Sequence, residues 1–129
     1  MEEGACHTVL VIDDDAHTRA LFQATLEEAG YRVLVAGGGL EGVELFQAQA
    51  VDLVVVDIFM PEMDGLELIR RLRASHAACK IMAMSGGVGE WDYLEVAKRL
   101  GANQTLRKPC SSRELLEAVR GQLIAAQKE

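Results

Sequence analysis

Three short runs of this chain end in residues that handle charge. Asp57 closes Val51-Asp52-Leu53-Val54-Val55-Val56, and the loop Ile58-Phe59-Met60-Pro61-Glu62-Met63-Asp64-Gly65 follows it. The acidic cluster Asp13-Asp14-Asp15 follows Val9-Leu10-Val11-Ile12, and Lys108 follows Gln104-Thr105-Leu106-Arg107. If these runs are neighbouring strands, Asp13, Asp14 and Asp57 converge. Like charges a few ångströms apart repel by roughly 1 kcal/mol in water, and several-fold more at the lower effective dielectric of a protein. They raise one another's pKa unless a cation joins them. A hard divalent ion with oxygen ligands relieves the clash. Mg²⁺ suits it, keeping several waters and accepting a phosphate oxygen, and Mn²⁺ is an alternative.

Lys108 supplies the opposite charge, and Pro109 after it biases its backbone to extended geometry. Ser85 ends a fourth apolar run and opens Ser85-Gly86-Gly87. Its hydroxyl can donate to a phosphoryl oxygen, and the glycines leave room for a ligand near the backbone. Plainer assignments exist for each residue. Asp14 and Asp15 can cap the first helix, Lys108 can pair with Asp57 at a soluble edge, and Ser85 can be a turn serine. Together the set points to phosphoryl transfer onto a carboxylate. Asp57 attacks phosphorus, a metal neutralises developing charge, and Lys108 and Ser85 hold the remaining oxygens. Such catalysis works by placement and electrostatics.

The elements that must position these residues alternate between strand and helix. Strands are expected at 9–12, 31–36, 53–56, 80–84 and 104–107. Helices are expected at 16–29, 40–49, 64–75, 91–100 and 111–126. In the first helix Ala20, Leu21, Ala24 and Ala29 suggest the inner face, and Gly30 ends it. In the third, Leu66, Leu68, Ile69 and Leu72 form a stripe, with Asp64 as cap and Glu67 three residues on. Ser111 and Glu114 read as a capping box. The run 53–56 is β-branched without alternation, as in a strand covered on both faces. The rhythm predicts an α/β fold, a doubly wound parallel sheet with helices on both faces. Ligands in such sheets sit at the carboxyl ends of the strands, where strand order reverses.

The chain has 129 residues, half of them hydrophobic and 26% charged. That suits one domain able to fold without a disulfide or structural metal. The net charge of −7 argues against direct nucleic-acid binding, since phosphate backbones attract Lys and Arg. Cys6, Cys79 and Cys110 form no C-x-x-C pair and read as reduced thiols. His7, His17 and His76 have no metal-type spacing and read as surface or loop residues. The first residues lack the basic and apolar regions of a signal peptide, and no apolar run approaches the ~20 residues of a membrane helix. A cytoplasmic location is expected.

The segments Val9 to Asp15, Val55 to Gly65 with its D-x-x-M-P-x-M-D-G pattern, and Lys108-Pro109 resemble the receiver domains of two-component response regulators. The resemblance covers about Thr8 to Gln122 within a single receiver domain at 1–129. It implies a flavodoxin-like receiver fold, five strands in order 2-1-3-4-5 with five helices. It implies that Asp57 is the phosphoacceptor, taking phosphate from a sensor histidine kinase or a histidine phosphotransfer protein. Asp14, Asp57 and the carbonyl of Phe59 would ligate Mg²⁺, and Asp13 would act through a bound water. Ser85 would close on the phosphoryl group and Lys108 pair with it. The Lys108-Pro109 peptide is often cis in this family. Phe59 and Gly87 stand where the family tunes phosphate lifetime. The face of helix 4, strand 5 and helix 5 is its usual exchange surface for downstream protein targets, and Trp91 and Tyr93 lie where helix 4 starts.

Two positions depart from the family. Thr105 stands where an aromatic usually turns inward with Ser85 to switch the domain, and Cys110 replaces the usual phenylalanine after Lys-Pro. A smaller rearrangement, or one carried by the loop Gly86 to Glu90, is expected instead. Two other functions fit part of the pattern. One is a small Mg²⁺-dependent phosphatase with its nucleophile in a D-x-D such as Asp13 and Asp15, for which the later acidic pair and cap are missing. The other is a docking module that never takes phosphate, against which the complete acid, serine and lysine set argues.

Overall fold

The computed structural model describes residues 7–60, 63–75, 78–86 and 91–128, apart from the side chains of 91, 92 and 125–128. Cys6, Pro61, Glu62, His76, residues 87–90 with Gly87, and the side chain of Trp91 lie outside the described residues.

Five strands and five helices alternate: β1 Thr8–Ile12, α1 Ala16–Glu28, β2 Arg32–Ala36, α2 Gly39–Ala48, β3 Leu53–Asp57, α3 Gly65–Ser75, β4 Lys80–Gly86, α4 Trp91–Leu100, β5 Gln104–Lys108 and α5 Ser112–Lys128. All strand pairs are parallel, in the order β2-β1-β3-β4-β5. The expected topology is therefore the observed one. β1 and β3 lie side by side although a strand and two helices separate them in the chain. The order reverses there, which opens a crevice at their carboxyl ends.

Strand pleating sorts the core into two layers, because successive side chains point to opposite faces. Leu10, Ile12, Val54, Val56, Ile81 and Ala83 pack with Phe46 of α2, Leu68, Ile69 and Leu72 of α3, and Leu94 and Ala97 of α4. Val9, Val11, Leu53, Val55, Met82 and Met84 pack with Phe22 and Leu26 of α1 and Leu115, Val119 and Leu123 of α5. With both faces of β3 covered, its four aliphatic residues are all buried, and its sequence has no reason to alternate.

Capping fixes where helices begin. Asp15 caps α1, accepting from the His17 amide at 3.1 Å and the Thr18 hydroxyl at 2.8 Å. Ser111 and Glu114 form the expected reciprocal box before α5, with bonds of 2.8 and 3.1 Å. Asp64 accepts from the Glu67 amide at 2.8 Å, whereas the Glu67 carboxylate turns to Arg70 and Arg71. Gly30, at φ 99°, ends α1 in a conformation that favours glycine.

The expected inner face of α1 is corrected. Phe22 and Leu26 are the buried residues, while Leu21 is 52% exposed and Ala20 and Ala24 face solvent. Of the expected set only Ala29 packs, partly, against the core. Phe22 and Leu26 lie four residues apart on one helical face. Removing their area from water outweighs covering alanines with little area to remove.

Two close approaches set the ends of the sheet. At the carboxyl end, Gly65 opens α3 with its backbone against β3, its amide donating to the Ile58 carbonyl at 2.7 Å. A Cβ there would stand 2.5 Å from the Asp57 carbonyl oxygen and 2.6 Å from the Ile58 Cα. At the opposite end, the Arg73 guanidinium donates to the carbonyls of Gly101 (2.8 Å) and Cys79 (2.6 Å) and to the Asn103 side chain. That side chain also accepts from the Ile81 amide at 2.8 Å. Arg73 thus ties α3 to the starts of β4 and β5.

Gly65→Ala forces main chain against main chain, and neither side can move like a side-chain tip. Urea unfolding of this variant is expected to show a loss of roughly 1–3 kcal/mol, the range of core overpacking. An unchanged midpoint would show that the approach of α3 to β3 is slack.

Candidate functional site

Asp13, Asp57 and Lys108 meet where the fold says they should, and Ser85 lies on the intervening strand β4. Asp13 leaves β1 with its amide on the Ala36 carbonyl at 3.1 Å, and its carboxylate accepts from the Asp15 amide at 2.9 Å. Asp57 ends β3 and accepts from the Phe59 amide at 3.3 Å. Both are buried, at 3% and 9% exposure, whereas Asp14 is exposed. Lys108 ends β5 before a cis Lys108-Pro109 peptide. Its ammonium reaches across β4 to Asp13 at 2.7 Å and Asp57 at 3.4 Å. Ser85, at the end of β4, is 2% exposed, and its hydroxyl has no hydrogen-bond partner among the described residues.

One carboxylate oxygen from each of Asp13, Asp14 and Asp57 lies within 4.8 Å of the other two. Three acids cluster, and one ammonium meets two of them. Burial pushes the Asp57 carboxyl up from 3.8 to about 6, Lys108 pulls it back in part, and Asp13 pushes it further up. Burial lowers the Lys108 pKa, but the carboxylates of Asp13 and Asp57 outweigh it and the net direction is upward. The surplus negative charge and the all-oxygen donor set fit a hard divalent cation of the Mg²⁺ kind. The unpartnered Ser85 hydroxyl fits a second guest that accepts hydrogen bonds, since a buried polar group left unmade is unfavourable.

The Asp15 side chain is occupied as the α1 cap, and only its amide meets the pocket, at the Asp13 carboxylate. The D-x-D pair of Asp13 and Asp15 is therefore divided between a buried site and a helix end, which removes the motif a phosphatase of that type needs. Phe59 is 43% exposed beside the site, and Tyr93 of α4 meets its ring edge-on, centroids 5.1 Å apart at 81°. Tyr93 is 45% exposed, so it packs on the site's flank rather than on the sheet. Thr105 is half-buried in a groove of about 290 Å³ with Leu94, Glu95, Lys98 and Arg107. Cys110 borders a separate cleft of about 340 Å³ with Thr18, Leu21, Phe22, Lys108 and Pro109. Burial raises the thiols of Cys79 and Cys110, which makes both poor nucleophiles, and neither is in a disulfide.

Arg19 was not singled out by sequence reasoning. Its guanidinium donates to the Asp13 carbonyl at 2.8 Å. A signal existed: a cation near the positive end of a helix dipole is unfavourable unless something specific holds it.

Comparison with known proteins follows the same lines. The family model described as "Response regulator receiver domain" matches residues 9–120. The chain is 30% identical over 112 residues to the sporulation initiation phosphotransferase F of Bacillus subtilis (strain 168), covering 87% of this chain and 90% of that one. It is 33% identical over 107 residues to the alkaline phosphatase synthesis transcriptional regulatory protein PhoP of the same organism, covering 83% of this chain and 44% of that one. The chain thus spans less than half the length of that regulator. Among solved structures, a CheY-like response regulator receiver domain protein from Methanospirillum hungatei JF-1 superposes with a TM-score of 0.89 at 26% identity, covering 95% of this chain and 97% of that one.

The raised Asp57 carboxyl has a consequence for stability. Folding binds a proton more tightly here than in the unfolded chain. The stabilisation is fully present below pH 3.8, and is lost as pH rises through about 6. In metal-free buffer, the stability of Asp57→Asn relative to wild type is expected to rise by on the order of 2 kcal/mol between pH 4 and pH 8. Denaturant melts across that range check it, and a flat difference would show that Asp57 ionises freely.

Proposed function

This chain belongs to the response regulator receiver family, the receiver domains of two-component signalling, and we propose that Asp57 is its phosphoacceptor in a phosphorylation-controlled switch. The observation that carries the proposal is the Lys108 ammonium 2.7 Å from Asp13 and 3.4 Å from Asp57. It supplies a cation where phosphate charge must be met. A carboxylate oxygen of Asp57 attacks phosphorus of a phosphohistidine. The P–N bond breaks, its electron pair returns to the donor imidazole, and an acyl phosphate is left on Asp57.

Lys108 pairs with one phosphoryl oxygen, and the Ser85 hydroxyl donates to another. Asp13, Asp14, Asp57 and the Phe59 carbonyl would hold Mg²⁺, with Mn²⁺ able to replace it. That ion would offset charge on the transferred group. The reaction is the domain's own, done once per donor encounter. Phe59 and Gly87 set how long the phosphate lasts. The signal passes through Ser85 and Thr105 to the face of α4, β5 and α5, where the groove beside Thr105 supports contact with a downstream protein. No aromatic stands at 105 to sweep inward, so the output is a smaller rearrangement or one that depends on the loop Gly86 to Glu90.

The donor is a sensor histidine kinase or histidine phosphotransfer protein. The apolar cleft of α1 beside Lys108 and Pro109, with Leu21 at its rim and 52% exposed, supports its approach from that side. A cytoplasmic location suits such a donor. No helix among the described residues is long and apolar enough to cross a membrane.

Incubation with acetyl phosphate and Mg²⁺ is expected to add one phosphoryl group, read by intact mass. Asp57→Asn and excess EDTA should each abolish it, and label on Asp13 instead would overturn the assignment. Leu21→Arg is expected to slow transfer from a phosphohistidine protein at least tenfold while leaving acetyl phosphate labelling within twofold. Equal loss with both donors would show that Leu21 supports the site's fold rather than docking.

A further inference from the structure

The acidic pocket depends on a turn whose main chain is held from outside the pocket. Asp13 and Asp14 sit between the end of β1 and the start of α1. The Asp13 amide is fixed to the Ala36 carbonyl, and its carboxylate is shared between Lys108 and the Asp15 amide. Its own carbonyl faces a different partner. Arg19, one turn into α1, donates through Nη1 to that oxygen at 2.8 Å. The Arg19 amide also closes the first turn on the Asp15 carbonyl at 3.0 Å, so its side chain returns over the turn it starts from.

The guanidinium also lies against the next loop. A Cβ at Gly37 would stand 3.3 Å from Arg19 Nη1. The Gly37 amide is itself pinned by the Glu41 side chain at 2.8 Å. Arg19 is therefore wedged between the acidic turn and the β2–α2 connection. It is half-buried, in a position where the dipole of α1 repels a cation.

We propose that Arg19 is a positioning residue for the metal and phosphate site. Its guanidinium fixes the main chain at Asp13 and so sets the direction in which the Asp13 and Asp14 carboxylates face Asp57. The effect runs against simple electrostatics. A cation near a cation site weakens metal binding by repulsion, so removing it would tighten binding if charge were all that mattered. Removing a group that orients ligands has the opposite sign, and weakens metal binding by about 10- to 100-fold in other proteins. The two roles of one side chain thus predict opposite outcomes.

The inference rests on the reading of the pocket as a Mg²⁺ site, and the test separates the two. Mg²⁺ affinity is measured by calorimetric titration on wild type, Arg19→Ala and Arg19→Lys, with thermal melts of the metal-free proteins alongside. Exchange of the Asp15 amide hydrogen, which lies on the Asp13 carboxylate, is followed without metal. Arg19→Ala is expected to weaken Mg²⁺ binding about tenfold and to speed Asp15 exchange. Arg19→Lys, whose ammonium can still donate to the carbonyl, should stay within threefold of wild type. Unchanged or tighter binding by Arg19→Ala would overturn the proposal, as would a loss of melting temperature with affinity intact. If Arg19→Ala does not fold, Arg19→Gln gives the same reading, because its amide cannot span the same reach. A wild type that takes no Mg²⁺ would instead overturn the reading of the pocket, and this inference with it.

Discussion

A single ammonium offsets two buried carboxylates, and most of this structure is arranged around that fact. Lys108 comes from β5, Asp13 from β1 and Asp57 from β3. Without the lysine, Asp13 and Asp57 would lie close together, largely buried, with no cation between them. With it, the pair is held but not neutralised, and Asp57 stays well above the usual carboxylate range. A buried ion pair of this kind adds little net stability, since desolvation consumes much of the attraction. Its value is as a poised charge. The pocket favours whatever arrives with positive charge for the acids or negative charge for the lysine, and a metal with a phosphoryl group brings both.

The fold places that charge through backbone contacts more than through side chains. Gly65 lets α3 start against the main chain of β3, with its amide on the Ile58 carbonyl just before Phe59. Arg73 clamps the other end of the sheet, joining α3 to the starts of β4 and β5. One end is thus tied by a branched side-chain network. The other is left open, lined by groups that do not fully satisfy one another, of which the Ser85 hydroxyl is the clearest case.

Much of this was legible in the residues. The β/α rhythm, the unbroken apolar run of β3 and the Ser111–Glu114 box each have a local cause, and each formed as that cause requires. The convergence of Asp13, Asp57 and Lys108 followed from strand ends once the sheet was taken as parallel. What escaped depended on contacts between distant segments. The inner face of α1 was misread because four alanine or leucine positions mimic a stripe, while Phe22 and Leu26 bury far more area. The grip of Arg19 on the Asp13 carbonyl could not be seen because a main-chain acceptor leaves no mark in the sequence. Glu67 was paired with the start of its helix by pattern, yet Arg70 and Arg71 lay closer. Thr105 was visible as a departure, and the structure adds the groove beside it.

The order in which the ribosome delivers these groups has its own consequence. The acids at 13, 14 and 57 emerge first, and the lysine that reconciles them is on the last strand. A chain halted before β5 would hold the carboxylates without the Lys108 ammonium that meets Asp13 and Asp57. The final strand therefore does more than close the sheet, since it brings the ammonium that meets both buried acids.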